Sequence, residues 1–429
     1  MNLFRRAVKH ELAGGISILA VTQLVASVAG LVRDRMLVQT FTHNLGVVDT
    51  YIAAFRPSDL LFQTCIMSAM GTVLVPVLAQ YFAKNDRKEM GRVLNGTMGM
   101  ASLIFGVIAL ILGLAFPYLA HYLVQFQGPE LALYIQFGRL ALLTNFLFVF
   151  GNALGQYLVT VQKYWIYGIT PILYTVGTIL GTIFLTPIVG PMGPIYGTLA
   201  GAVIYVILRW IAVMRSGGGF GLSLWHPDLK EMGVLMVPRV LSLGAFQVQL
   251  LFLDRIASGL PEGAITINSY TRNFASVLVG VIGIAIAQSV YSTLSQAAAQ
   301  KDEGKFRRYY TQGSLICLGL SIVASIILVI ASPIAAWLVH LQSVIKVFTV
   351  CLAIYALSVP FESLSHLQLR AFYARKNTLT PAVWGVLGGA GAVLSSWLLV
   401  PQYGLYAVAV GYTIGEIVQT TGLWIMLRK

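Results

Sequence analysis

Twelve stretches of predominantly apolar residues, each long enough to cross a bilayer as a helix, leave this chain little choice of fold. They fall near 12–41, 47–82, 93–125, 131–161, 166–188, 194–214, 232–258, 264–298, 312–340, 344–373, 379–400 and 404–427. A spanning helix needs about 20 such residues. In lipid, only helices and closed barrels satisfy every backbone N–H and C=O internally. With 57% hydrophobic and 10% charged residues, the chain carries more apolar surface than a soluble core of its size buries. The expectation is an all-α polytopic membrane protein with about 12 transmembrane helices. The basic start MNLFRRAVKHELAGG leads into a run of spanning length without a small-residue cleavage site, so the first span is expected to be retained.

The net charge of +13 would suggest a nucleic-acid partner in a soluble protein, but here Lys and Arg concentrate in alternate short loops. Lys84, Arg87, Lys88 and Arg92 mark one, and Lys301, Lys305, Arg307 and Arg308 another. The intervening loops carry little beyond Lys346. This alternation is the topology signal of a membrane protein and predicts that both termini are cytoplasmic. Cys65, Cys317 and Cys351 lie in apolar segments, an odd number without metal-ligand spacing, and read as small hydrophobes.

The longest polar interruption, RSGGGFGLSLWHPDLK from Arg215 to Lys230, lies almost midway and is rich in glycine. It suits a flexible connection between an N-terminal six-helix lobe, residues 1–215, and a C-terminal one, residues 231–429, with 216–230 as linker. A shift of 216 positions superposes Arg56 on Arg272, Leu78 on Leu294, Gln80 on Gln296 and Arg92 on Arg308. Two pseudo-symmetric lobes in parallel orientation around a central cavity are therefore expected, as in many transporters.

Charges inside the spans point to function. One Arg or Asp at mid-membrane costs about 2.5–3.5 kcal/mol, while a Leu or Val returns about 0.3–0.6, so such groups face water, a partner or a ligand. Arg33, Arg56, Arg239 and Arg272 fall on the first, second, seventh and eighth spans, corresponding pairs in the two lobes. Their planar guanidinium groups suit a diphosphate. The competing reading is interhelical ion pairing with Asp34, Asp49, Asp59, Asp254 and Glu362. Amides such as Gln63, Asn145 and Asn152 give several spans a polar face fit for sugar or peptide groups, or for helix-to-helix hydrogen bonds. The chain has no GxxxxGK[ST] phosphate loop, HExxH, CxxC or GxSxG. A transporter is expected rather than an enzyme, without an ATPase or cofactor of its own.

Several stretches carry a family resemblance. GLVRDRMLVQTF, DTYIAAFRPSDLLF and VLVPVLAQYF resemble the first two helices of the MviN/MurJ family of lipid II flippases, within the multidrug, oligosaccharidyl-lipid and polysaccharide exporter superfamily. LDRIASGLPEGAITINSYTRNFASVLVGVIGIAI resembles its seventh and eighth helices, and FYARKNTLTPAVW the start of its eleventh. The resemblance implies a cationic cavity that opens alternately to either side and carries undecaprenyl-diphosphate-linked peptidoglycan precursor across the bacterial cytoplasmic membrane. By position Arg33 and Arg272 match essential cavity arginines, and Asp49 matches an acidic residue early in the second helix. Two further family arginines fall near Ser27 and near Phe62 or Gln63, so Arg56 and Arg239 stand as their replacements. Asp254 matches the acid of the family's ion site, whose eleventh-helix partners appear here as Ala392 and Ser396. Expected coupling is a monovalent cation or the membrane potential; expected partners are lipid II or a related glycolipid, membrane lipids and cell-wall synthesis proteins. The rival expectations are a polysaccharide-lipid or multidrug exporter of the same fold, and a non-transporting membrane scaffold.

Overall fold

The computed structural model describes residues 2–67, 70, 74–219, 221 and 223–428; within the helices, the side chains of residues 2–17, 231 and 233–243 fall outside that description. The described residues form helices and short connections, with no strand among them. The chain divides into two compact units. Unit 1 comprises Met1–His43, Ala54–Ala120 and Gln127–Leu243; unit 2 comprises Asn44–Ala53, His121–Phe126 and Gly244–Lys429.

The helices in chain order begin with α1 (Asn2–Thr40) and α2 (Leu45–Leu61), which runs on through a π-helical segment Phe62–Met67 toward α3 (Val75–Ala83). Next come α4 (Arg87–Leu123), α5 (Gly128–Thr160), and a broken span of α6 (Tyr164–Ile169), α7 (Ile172–Leu180), a π segment Gly181–Leu185 and α8 (Thr186–Val189). After α9 (Gly193–Arg215) follow α10 (Asp228–Ala257) and α11 (Ala264–Leu278), the latter continued by a π segment Val279–Ile284 into α12 (Ala285–Ala299). The chain closes with α13 (Glu303–Ile330), α14 (Ser332–Leu338), α15 (Ile345–Ala374), α16 (Leu379–Tyr403) and α17 (Leu405–Arg428). Counting α2 with α3, α6 through α8, and α11 with α12 as single spans, and α14 as an appendage of α13, the described residues make twelve spans in step with the twelve apolar stretches. Leu103, Val107, Leu110 and Leu114 on α4, like Ile316, Val323, Ile327 and Ile330 on α13, are exposed, as lipid-facing residues must be.

Inside unit 1, Phe62, Met70, Leu74, Met90, Leu94, Met98 and Phe105 form a core with Val149, Leu154 and Tyr157 of α5. Phe62 meets Phe105 and Phe148 edge-on, ring centroids 6.4 and 6.2 Å apart, an arrangement favoured by the ring quadrupoles. In unit 2, Ala287, Leu294, Ala297 and Phe306 pack with Leu367 and Ala371 of α15.

Each unit contains a helix pair in nearly backbone-to-backbone contact. In unit 1, a Cβ on Gly197 of α9 would lie 2.2 Å from the Gly177 carbonyl of α7, and one on Gly181 2.4 Å from the Gly193 carbonyl. In unit 2, a Cβ on Gly415 of α17 would lie 2.6 Å from the Gly388 carbonyl of α16, and one on Gly411 2.0 Å from the Ser396 hydroxyl. Lipid tails are as apolar as leucine, so helices associate through such close packing rather than through hydrophobic burial.

In the stretch 216–230, expected as a flexible connection, Ser223 and His226 lie against α4. A Cβ on Gly99 of α4 would meet the Ser223 carbonyl at 2.0 Å, and one on Gly96 the His226 side chain at 3.2 Å. His226 Nε2 lies 3.1 Å from Glu89, and Tyr81 donates to Asp228 at 2.9 Å. The glycines of α4 that make this seat are far from 216–230 in sequence.

Candidate functional site

Unit 1 carries Arg33 and Arg56. Arg33 of α1 donates from Nε and one terminal nitrogen to the same oxygen of its neighbour Asp34, at 2.9 and 2.7 Å, and stays about a quarter exposed. Arg56 of α2 is partly exposed and within electrostatic range of Asp59, one turn on. Arg239 is on α10, in the part assigned to unit 1, and its side chain lies outside the described residues.

A fifth arginine, which hydropathy reading passes over, is the most enclosed cation among the described residues of unit 1. Arg209 of α9 is 2% exposed. Its Nε donates to Thr170, one terminal nitrogen to the Gly151 carbonyl and the Tyr205 hydroxyl, and the other to the Tyr167 carbonyl, all at 2.7–2.8 Å. Gly155 makes room for it, since a Cβ there would lie 2.3 Å from the guanidinium. This set of neutral acceptors satisfies a buried charge that would otherwise be very costly. Its sequence signal is an arginine preceded by the apolar run IYVIL, short of the loop where Arg215 sits.

Beside Arg209 lies a cavity of about 600 Å³ contained within unit 1, walled by α1, α2, α5, α6, α7 and α9. Asp59 faces it, accepting from the Asn145 amide at 2.9 Å, and the same amide donates to Ser58 at 2.7 Å. Asn152, two turns further along α5, donates to the Phe148 carbonyl of its own helix.

Unit 2 places Arg272 on α11, 5% exposed, with one terminal nitrogen buried and without a hydrogen-bond partner among the described residues. Glu362 of α15 lies within its electrostatic range and accepts from Tyr412 of α17 at 3.2 Å. Glu416, one turn beyond Tyr412 and missed in the sequence reading, interacts in turn with Glu362. Next to them Tyr355 donates to Asn268 at 2.5 Å. Thr413 and Thr420 of α17 donate to the Ile354 and Phe361 carbonyls of α15, on either side of Pro360, and tie the two helices together.

Asp49 lies in the stretch of α2 that belongs to unit 2 and is buried. One carboxylate oxygen accepts from the Gly263 N–H at 2.7 Å; the other accepts from the Thr266 N–H at 2.7 Å and its hydroxyl at 2.6 Å. These are the first free donors of α11, so the carboxylate caps the positive end of the helix that carries Arg272. Gly263, at φ +89°, is left-handed, and a Cβ on it would also press on Leu45 at 2.9 Å. Asp254 is buried on α10. The Ser396 hydroxyl donates to the Ala392 carbonyl of its own helix. Among the described residues no three His, Cys, Asp or Glu side chains gather as metal ligands.

The family model described as lipid II flippase MurJ matches residues 37–429. The chain belongs to the MurJ family. A probable lipid II flippase MurJ of Bdellovibrio bacteriovorus is 25% identical over 429 residues, covering 95% of this chain and 80% of the relative. The lipid II flippase MurJ of Burkholderia cenocepacia is 22% identical over 441 residues, covering 95% and 82%. Among solved structures, a lipid II flippase MurJ in an inward closed conformation aligns with a TM-score of 0.79 at 18% identity, over 96% of this chain and 87% of that one. An inward-facing multidrug resistance MATE transporter of the MOP superfamily aligns with a TM-score of 0.80 at 17% identity, over 96% and 98%. MurJ membership makes the chain a multi-pass membrane transporter rather than an enzyme, and the MATE likeness extends the shared fold across the superfamily.

Proposed function

We propose that this MurJ-family chain carries lipid II, the polyprenyl-diphosphate-linked peptidoglycan precursor, from the inner to the outer leaflet of the bacterial cytoplasmic membrane. The observation that carries this reading is the family match over residues 37–429, nearly the whole chain. Arg33, Arg56, Arg239 and Arg272 neutralise the diphosphate in a cavity between two lobes while the polyprenyl tail stays in lipid. The unfilled donor of Arg272 supports this role, because a buried guanidinium nitrogen without an acceptor calls for one. Asp49 acts by fixing the start of the helix from which Arg272 projects. Rocking of the lobes exposes the cavity to each side in turn, with both termini in the cytoplasm.

No phosphate-binding motif for ATP is present in the sequence, so transport draws on an ion gradient or on the membrane potential. Each negative charge moved outward gains about 2.3 kcal/mol per 100 mV. Asp254 is the candidate for a monovalent cation.

Complementation of a bacterium depleted of its own lipid II flippase tests the reading. Growth restored by the parent chain and lost with Arg272→Ala or Arg33→Ala at matched expression is expected. A well-inserted parent chain that never restores growth would count against lipid II as the substrate.

A further inference from the structure

A second cavity of unit 1, of about 750 Å³, lies where α4 begins and α5 and α9 end. Three cations line it: Arg87 of α4, Lys163 between α5 and α6, and Arg215 at the end of α9. Its wall holds no carboxylate, and none of the three enters an ion pair among the described residues. Lys163 and Arg215 are exposed. Arg87 is half-buried over the Phe82 ring, its guanidinium carbon 4.4 Å from the centroid, and one of its terminal nitrogens is enclosed without a hydrogen-bond partner among the described residues. The two hydroxyls of the wall, Thr170 and Ser216, give their protons to the Ile166 and Ala212 carbonyls of the chain beside them. Positive charge is therefore gathered here with nothing of the opposite sign to offset it, and an anion would relieve that repulsion.

The rest of the wall is apolar and open to the surroundings. Trp165 is 53% exposed, Leu208 41% and Ile169 38%. Aliphatic side chains left bare on a membrane helix face lipid, and tryptophan favours the boundary between lipid and water. The three helix ends lie on the side marked by the basic loops, the side expected to be cytoplasmic. A free phosphate would suit the cations and leave the apolar half unused; an acidic peptide would have no reason to lie against lipid-facing side chains. A phosphate carried on acyl chains satisfies both halves at once.

We propose that this cavity holds the headgroup of an anionic membrane phospholipid such as phosphatidylglycerol, with its phosphate among Lys163, Arg215 and the enclosed nitrogen of Arg87 and its acyl chains along Trp165, Ile169 and Leu208. Basic pockets between spans hold acidic headgroups in this way at the cytoplasmic surface. The planar forks of the arginines and the point charge of the lysine both suit phosphate oxygens. The site uses none of the arginines offered to the transported diphosphate, and the inference does not depend on what the chain transports.

The test reads lipid contact at Trp165 in the full chain, reconstituted in phosphatidylcholine nanodiscs, through quenching of tryptophan fluorescence by brominated acyl chains. The chain has seven tryptophans, so the Trp165 signal is taken as the difference between the parent chain and Trp165→Phe. At equal mole fraction, brominated phosphatidylglycerol is expected to occupy the site about twentyfold more than brominated phosphatidylcholine, because each of the two exposed cations contributes about a fivefold preference. Lys163→Gln and Arg215→Gln should each lower that preference about fivefold, and the double variant should remove most of it. Both side chains are exposed and outside any ion pair among the described residues, so the variants should fold, and their size-exclusion profiles check this. Lys301→Gln combined with Arg308→Gln, at exposed cations of unit 2, should leave the preference intact. Equal quenching by the two lipids would overturn the proposal, as would a double variant that keeps the preference or a unit 2 control that loses it. Soluble glycerol 3-phosphate separates a lipid from a free anion: brominated phosphatidylglycerol that stays in place supports the lipid, and its displacement would make the free anion the ligand and overturn the proposal.

Discussion

The carboxylate of Asp49 accepts both the backbone N–H and the hydroxyl of Thr266, 217 positions away in sequence. A side chain from one apolar stretch thus closes the open end of another helix. A side-chain cap of this kind is worth about 0.5–2 kcal/mol, and the companion bond to Gly263 adds to it.

Asp49→Ala should accordingly lower the thermal stability of the purified protein and weaken transport. Asp49→Asn, which keeps an acceptor but loses the charge facing the helix dipole, should fall between the two. Melting temperatures in detergent measure the order; an Ala variant as stable as the parent would refute a capping role.

Arg209 predicts a sharper effect. Replacing it with Leu strips donors from Thr170, Tyr205 and two carbonyls at once. Each buried group left unpaired costs about 1–3 kcal/mol. Arg209→Leu should therefore fail to accumulate as monodisperse protein, and Arg209→Lys, with three donors and no planar fork, should rescue it only in part. Size-exclusion profiles of the three forms decide.

The close helix pairs make a matched prediction in each unit. Gly197→Val and Gly415→Val insert atoms where even a Cβ sits 2.2 or 2.6 Å from a facing carbonyl. Helices that must separate to admit them lose the contacts holding them together in lipid, so both variants should express poorly. Gly319→Val, at a position with nothing within 4 Å of a Cβ, should behave like the parent chain.

For the stretch 216–230, Gly99→Leu removes the seat of Ser223. Limited proteolysis should then cut between Arg215 and Lys230 in the variant while sparing the parent chain.

How much of this the sequence discloses depends on the distance over which each feature is determined. The spans are legible because lipid imposes a local rule, a run of apolar residues for each crossing, and α4 or α13 obeys it without help from neighbours. Arg33, Arg56, Asp49 and Arg272 stand out because charge is scarce in such runs. The acids beside the arginines, Asp34, Asp59 and Glu362, are legible for the same reason, but the partners of Asp49 are not. Thr266 and Gly263 meet Asp49 only through folding, and Glu416 becomes notable only beside Tyr412 and Glu362. Arg209 escapes notice because it sits within two turns of a basic loop, where an arginine usually reaches for water. The contacts of the stretch 216–230 are hidden for a related reason: its glycines suggest mobility, while the surface that receives Ser223 and His226 is written in α4.

The segments Phe62–Met67 and Val279–Ile284 fall at matching places in the two halves, 217 positions apart, each downstream of an arginine of the superposed pair Arg56 and Arg272. A π turn reaches one residue further than an α turn, and one residue of an α-helix amounts to about 100° of rotation. The part of the unit 2 span beyond its π turn is thus out of phase with the part before it, so a face laid out along α11 does not continue onto α12. Releasing or shifting that surplus residue would swivel the far half by about a quarter of a revolution without breaking the helix. With the near end of α11 pinned by Asp49, such a twist would leave Arg272 in place and turn only the residues downstream of it.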